Sequence, residues 1–236
     1  MTIAKPERTV LLLGASRGIG LGLVQEYLSR GWRVIATQRS PTPAPALAEL
    51  VASADGALTV LRADVNSPDD VVALSQHLSQ LNVTLDLLFV VAGVSDDPAQ
   101  TIGQISTDEF NQLMVTNALS PMRALEQLAQ HVRANGSLAV MTSALGSISG
   151  NTTGGYETYR ASKAALNMLL RSYAARAGGE RSLLALMPGW VKTDMGGPDA
   201  PVEVSASCAG LADTIAKHAG NSGAVFVDFQ DNVIAW

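Results

Sequence analysis

One cysteine, Cys208, occurs in 236 residues, so an intrachain disulfide is excluded, and the residue reads as filler on a buried helix. Histidine is almost as scarce. His77, His131 and His218 lie apart, without thiols or carboxylates at metal-ligand spacing, and no metal is expected. Charged residues make up 16% of the chain, the net charge is −5 and no run of like charge occurs. That balance provides no long-range attraction for nucleic acid or anionic lipid. No apolar run reaches the roughly 18 residues expected of a membrane span, and Met1–Arg8 carries no apolar stretch. The default expectation is a soluble, cytoplasmic protein.

What is abundant is apolar residues, 47% of the chain, enough for a full core in one α/β domain spanning 1–236. Their periodicity alternates between strand and helix. Thr9–Leu13 is a short apolar run ended by glycine, and Gly18–Arg30 follows with helical spacing and Gly31 as a stop. Further strands are expected at Arg33–Thr37, Ala57–Arg62, Leu85–Val91, Ser137–Met141, Leu183–Met187 and Ala224–Val227. Helices are expected near Ala46–Ala54, Thr107–Ala118, Pro121–Arg133, Gly155–Ala177 and Val202–Ala219. Pro41–Pro45 cannot continue a strand or helix and reads as a surface loop. The pattern predicts a doubly wound sheet with helices on both faces.

In such a sheet ligands bind beyond the carboxyl ends of the strands, and the first strand–helix turn offers backbone N–H groups to a phosphate. Here that turn contains Gly14, Ser16, Arg17, Gly18, Ile19 and Gly20, the proposed cofactor-binding turn. Its spacing, Gly-x-x-x-Gly-x-Gly, also suits a purely structural turn; its place between strand and helix favours the nucleotide. About 20 residues on, a site for NAD usually carries an acid that holds the ribose hydroxyls. This chain has Thr37-Gln38-Arg39-Ser40 instead. Arg39, with Arg17 from the other side, can pair with a 2′-phosphate, so NADP (NADPH) is expected in preference to NAD. Asp64 and Val65 are placed to meet the adenine, although a helix cap at Asn66 or Ser67 would also explain the polar cluster.

Tyr159 and Lys163 stand at i and i+4 within the expected long helix, about 6 Å apart along its axis and on one face. A phenol and an ammonium that address one ligand suit acid–base chemistry. An ammonium and an oxidised nicotinamide would both favour the phenolate by charge attraction. Tyr156, whose i+4 neighbour is Arg160, is the rival phenol and reads as a pocket wall.

With these motifs the chain resembles the short-chain dehydrogenase/reductase family from Thr9 to Trp236. The resemblance rests on the glycine turn, Tyr159 with Lys163, Ser143, Asn117 in Val-Thr-Asn-Ala-Leu-Ser-Pro, and Pro188-Gly189-Trp190-Val191-Lys192-Thr193. A finer resemblance is to the C-factor and sniffer-type carbonyl reductase branch. It is carried by Gly146-Ser147-Ile148, Asn151, Gly154-Gly155, the segment Tyr159–Asn167, the segment Gly189–Pro198 and the short end after Asp228. The family implies a single Rossmann domain with a central, mostly parallel seven-stranded sheet. It implies Tyr159 as general acid/base, Lys163 on the nicotinamide ribose, Ser143 on the substrate oxygen and Asn117 supporting a water link from Lys163 to solvent. Thr142 is the rival hydroxyl to Ser143, and a mid-helix asparagine bonded to backbone is the alternative for Asn117. Pro188, Gly189, Val191 and Thr193 would hold the nicotinamide end, although a turn alone would explain Pro-Gly.

Many relatives carry Asn-Asn-Ala-Gly after the fourth strand. Here Val90-Val91-Ala92-Gly93 stands in its place, and by the same resemblance Ala92 and Gly93 can still pass close to the adenosine ribose through their backbone. Leu145, Val94, Tyr156, Trp190 and Met195 are expected around a small uncharged carbonyl or alcohol. A homodimer or homotetramer formed through the long helices is expected from many relatives. The alternative function is a dinucleotide-binding signalling protein of the C-factor kind. An epimerase or dehydratase is disfavoured, because no second substrate domain fits in the length.

Overall fold

Successive residues of Thr9–Leu13 point to opposite faces of a sheet, and all five are buried, so this first strand, β1, requires cover on both sides. The computed structural model describes residues 8–236, so the expectation for Met1–Arg8 falls outside it except at Arg8. The other strands are β2 (Arg33–Gln38), β3 (Leu58–Arg62), β4 (Leu85–Val90), β5 (Val132–Met141), β6 (Ser182–Met187) and β7 (Gly223–Asp228). They form one sheet in the order β3-β2-β1-β4-β5-β6-β7, with every adjacent pair parallel. Leu11 pairs with Ile35 on one side and Leu88 on the other.

Alternation divides the core in two. Leu11, Leu13, Leu88 and Val90 pack on the face covered by α3 (Pro68–Gln80), α5 (Ser120–Leu128) and α6 (Glu157–Ala177). Val10, Leu12, Leu87 and Phe89 pack on the opposite face, under α1 (Gly18–Ser29), α2 (Pro45–Ser53) and α7 (Val204–His218). Truncating a fully buried leucine such as Leu11 or Leu12 to alanine would cost about 2–5 kcal/mol. Cys208 is buried on α7 against Ile19, and burial pushes its thiol up to about 12, in keeping with an inert filler.

Two expected helices merge. The first, α4 (Thr107–Met114), opens with a capping box between Ser106 and Glu109 and continues through a π-helical turn, Val115–Leu119, into α5. Proline explains the turn. Pro121 has no N–H for the carbonyl of Asn117, and the chain widens, with the Ser120 N–H reaching back to the Val115 carbonyl. The helix expected to reach Arg133 stops at Leu128. Val132 instead pairs with Leu85, and β5 starts five residues before the expected Ser137, with a register shift in its pairing to β4. Strand pairing satisfies backbone groups there that helical continuation would have left for solvent.

The strand order reverses between β1 and β4, and the chain leaves both in the same direction. A crevice therefore opens at their carboxyl ends.

Candidate active site

The crevice is a cleft of about 340 Å3 lined by the turn Gly14–Gly20, the ends of β2 and β3, Val91–Val94, Tyr159, Lys163 and Thr193–Met195. Two positions in the turn admit no side chain. A Cβ on Gly14 (φ 92°) would lie 2.8 Å from that of Ala92, and one on Gly20 would lie 2.1 Å from the Gly14 carbonyl oxygen. Arg17, the residue before α1, provides no side-chain cap, so the first-turn N–H groups of α1 are open to an anion. A glycine-floored turn with uncapped donors fits the pyrophosphate of a dinucleotide.

At the β2 end of the cleft, Thr37 holds the turn: its carbonyl accepts from Ala15 N at 2.8 Å and its hydroxyl from Gly14 N at 3.3 Å. Gln38 is buried and pins the proline-rich loop, donating to the carbonyls of Ser40 and Thr42 and accepting from Ala44 N. Arg39 is exposed on the cleft wall and has no ion-pair partner among the described residues. Arg17 is paired instead, Nη1 to Asp194 Oδ2 at 2.6 Å across the mouth of the cleft. Asp64 and Val65 line the wall; Asp64 Oδ1 also accepts from Asn66 N, while the cap of α3 is Ser67. Without the usual asparagines, Val91 N and Ala92 N still bond to the Leu13 carbonyl, so β1 itself positions this segment.

Deeper in, α6 presents Tyr159 and Lys163 to the cleft. Lys163 is buried, its Nζ 5.6 Å from the Tyr159 ring centroid, and one of its three donors goes to the Met141 carbonyl at 3.0 Å. Burial lowers its pKa to about 8. Tyr159 is half-buried, and the loss of water around its hydroxyl pushes the phenol up to about 12, assisted by Asp96 and Tyr156 and opposed by the Ser143 hydroxyl. Removal from water dominates the phenol, and the attraction expected from Lys163 does not prevail.

Asn117, on the π-helical turn, is fully buried. Its side chain accepts from Val94 N at 2.9 Å and donates to the Val94 carbonyl at 2.8 Å and to Ser162 Oγ at 3.0 Å. Ser162 in turn donates to the Tyr159 carbonyl at 2.8 Å, so Asn117 ties the β4 exit to the helix bearing the phenol. Gly93 is the spacer: a Cβ there would sit 3.2 Å from Lys163 Nζ and 3.3 Å from Asn117 Oδ1.

Of the two rival hydroxyls, Thr142 lines the cleft but donates to Asn167 Oδ1 at 2.8 Å, and Ser143, just outside the cleft lining, accepts from Leu145 N at 3.2 Å and pulls the Tyr159 phenol down toward ionisation. Pro188 and Thr193 line the cleft. Gly189 and Val191 do not. Gly189, at φ 89°, turns the chain against Phe229 and Val202, and Val191 is buried in a bridge to Val202. The five expected substrate residues also separate. Val94 and Met195 are on the cleft wall, whereas Leu145 lines a second hollow of about 280 Å3 with Ile148 and Arg160. Tyr156 packs edge-on to Tyr159, centroids 6.4 Å apart, and Trp190 is exposed, its indole N–H donating to the Gly196 carbonyl at 2.7 Å. Sequence reasoning missed Gln38, Ser162, Asp194 and Asp96. Their partners are distant in sequence or purely backbone, and no local spacing announces them.

Fold and cleft together define a dinucleotide-binding oxidoreductase architecture. Residues 8–204 match the family described as short chain dehydrogenase, and the chain belongs to that family of oxidoreductase enzymes. C-signal from Myxococcus xanthus is 36% identical over 160 residues, which cover 64% of this chain and 93% of that protein. A short-chain dehydrogenase/reductase from Burkholderia multivorans, solved with bound NADP, superposes with a TM-score of 0.93 at 42% identity over 98% of this chain and all of that one. The carbonyl reductase Sniffer of D. melanogaster gives a TM-score of 0.89 at 28% identity, again over 98% and 100% of the two chains. These relatives agree with the C-factor and sniffer-like branch. No helix among the described residues is long and apolar enough to cross a membrane, and no group of three or more metal-ligating side chains occurs among them.

Proposed function

We propose that this enzyme reduces a small uncharged aldehyde or ketone with NADPH, with Tyr159 as the proton donor. The observation that carries the reading is the neutral phenol beside a buried ammonium on the wall of a glycine-floored cleft. Bound NADPH supplies the hydride. Tyr159 holds the proton that the developing alkoxide requires, and Ser143 offers a hydroxyl to the substrate oxygen and to the phenolate that remains. Lys163, mostly charged at neutral pH, stabilises that phenolate and has donors left for the cofactor ribose. Asn117 fixes the alignment of Gly93, Val94 and the Tyr159 turn through its three hydrogen bonds.

Preference for NADPH over NADH rests on Arg39, unpaired among the described residues and with no acid beside it at the end of β2. Exposed Leu119, Met168 and Leu169 on the α4–α5 segment and α6 support self-association as a dimer or tetramer. The test is to follow NADPH absorbance with a panel of aldehydes, ketones and quinones. Turnover that depends on Tyr159 is the expected result. A second reading, a dinucleotide-binding signalling protein, draws on the similarity to C-signal; tight NADPH binding without turnover on any carbonyl would favour it.

A further inference from the structure

The amino end of α6 has a backbone problem. Tyr156 precedes the helix in the left-handed region, φ 51°, after Gly154 and Gly155 at φ 68°, and no side chain of its own caps the first turn. First-turn N–H groups left bare in a partly buried place are costly. A distant segment, the loop 94–106 that follows β4, meets this end of the helix and takes one of them. Asp96 Oδ2 accepts from Tyr159 N at 3.0 Å, the Pro98 carbonyl accepts from Tyr156 N at 3.3 Å, and Ile102 N donates back to Glu157 Oε2 at 2.7 Å.

We propose that Asp96 is a positioning residue for the reaction: its carboxylate clasps the loop 94–106 to the helix that carries Tyr159 and fixes a negative charge at the backbone of that residue. One oxygen caps the backbone of the acid itself, three residues into the helix, where the helix dipole favours an anion. The other oxygen, Oδ1, is buried and has no hydrogen-bond partner. No donor meets this oxygen. A carboxylate held at the backbone of Tyr159 disfavours a second negative charge on its phenol, so the proton stays on Tyr159 until a substrate oxygen takes it.

The surroundings agree on each side. Around Tyr159 stand Lys163 from α6, Tyr156 from the residue before it, Ser143 from the end of β5 and Asp96 from the loop after β4. Arg160 is held away by the carbonyls of Gly154 and Gly155 and by the Thr153 hydroxyl. Among the charged groups, Asp96 favours the neutral phenol and Lys163 favours the phenolate. The loop that bears Asp96 also leads from Val94 on the cleft wall, so its placement and the acid's proton affinity are coupled.

This inference rests on Tyr159 as the acid, and its test reads the phenol without turnover. Protein carrying carbon-labelled tyrosine is titrated by NMR, without and with NADP, using Tyr159→Phe to assign the resonance. Asp96→Asn keeps an oxygen for the Tyr159 N–H and removes the charge; the Tyr159 transition is expected to move down by about half a pH unit or more. Asp97→Asn, an exposed change in the same loop, should leave it in place. An unmoved transition in Asp96→Asn, or an equal movement in Asp97→Asn, overturns the proposal. Should Asp96→Asn fail to fold, amide exchange in the unaltered protein decides: the Tyr159 amide should exchange more slowly than that of Glu157, and equal rates overturn the clasp. Absence of turnover on every carbonyl would count against the proposed function and leave this test intact.

Discussion

Lys163 donates to the carbonyl of Met141 at 3.0 Å while Tyr159, four residues before it, presents its ring 5.6 Å from the same Nζ. The ammonium is thus anchored to the end of β5 and acts on the phenol across a gap. Anchoring it has a cost, because the charge is buried.

That cost gives a pH signature. The folded-state pKa of Lys163 lies near 8 against 10.5 for a free lysine, so between these values the unfolded chain binds more protons and stability rises with pH. The burial penalty is fully present below about pH 8 and is relieved toward pH 10.5, by up to about 3 kcal/mol. Urea unfolding from pH 7 to 10 should show this rise in the unaltered protein. Lys163→Met should abolish it, be at least as stable at pH 7, and lose activity.

Tyr159→Phe removes the transferable proton and little volume. Carbonyl reduction should fall by about 100-fold to 10,000-fold while NADPH affinity stays nearly unchanged. Steady-state kinetics with fluorescence titration of NADPH separates the two, and retention of most activity would falsify the role of the phenol.

Arg39→Ala should weaken NADPH by about tenfold or more and leave NADH nearly untouched, as expected for loss of a charge-assisted contact to the 2′-phosphate. Arg17→Ala should have the smaller effect, because Arg17 already engages Asp194. Binding titrations with both nucleotides check this; equal losses for the two after Arg39→Ala would defeat the assignment.

Gly93→Ala inserts a methyl group 3.2 Å from Lys163 Nζ and 3.3 Å from Asn117 Oδ1. One of these buried groups must move, so stability should fall by about 1–3 kcal/mol and kcat by more than the loss of folded protein explains. Thermal unfolding and kcat on the same preparation test the pair of effects.

Much of the fold was legible because its signals are local. Every strand of the sheet was visible as a short apolar segment, and most boundaries moved by one or two residues, as at β2, which gains Gln38. The exceptions were long-range. The merger of two helices around Val115–Leu119 depends on Pro121 being tolerated through a widened turn, and the early start of β5 depends on Leu85 being available to Val132. The candidate site divides in the same way. Gly14, Gly20, Tyr159 and Lys163 were readable from spacing and do meet at one cleft, whereas Gly189 and Val191 turned out to support the wall from behind.

By itself the sequence determined the alternation of strands and helices, the glycine turn that leaves room for a phosphate, and the helical spacing that puts a phenol and an ammonium on one face. Those are properties of neighbouring residues. Only the tertiary structure decided which groups set the proton affinity of Tyr159: how far water is excluded, how near the Ser143 hydroxyl comes, and the approach of Asp96 from 63 residues away. Desolvation and Coulomb interaction act through space, and the distances that govern them exist only once β4, β5 and α6 have packed.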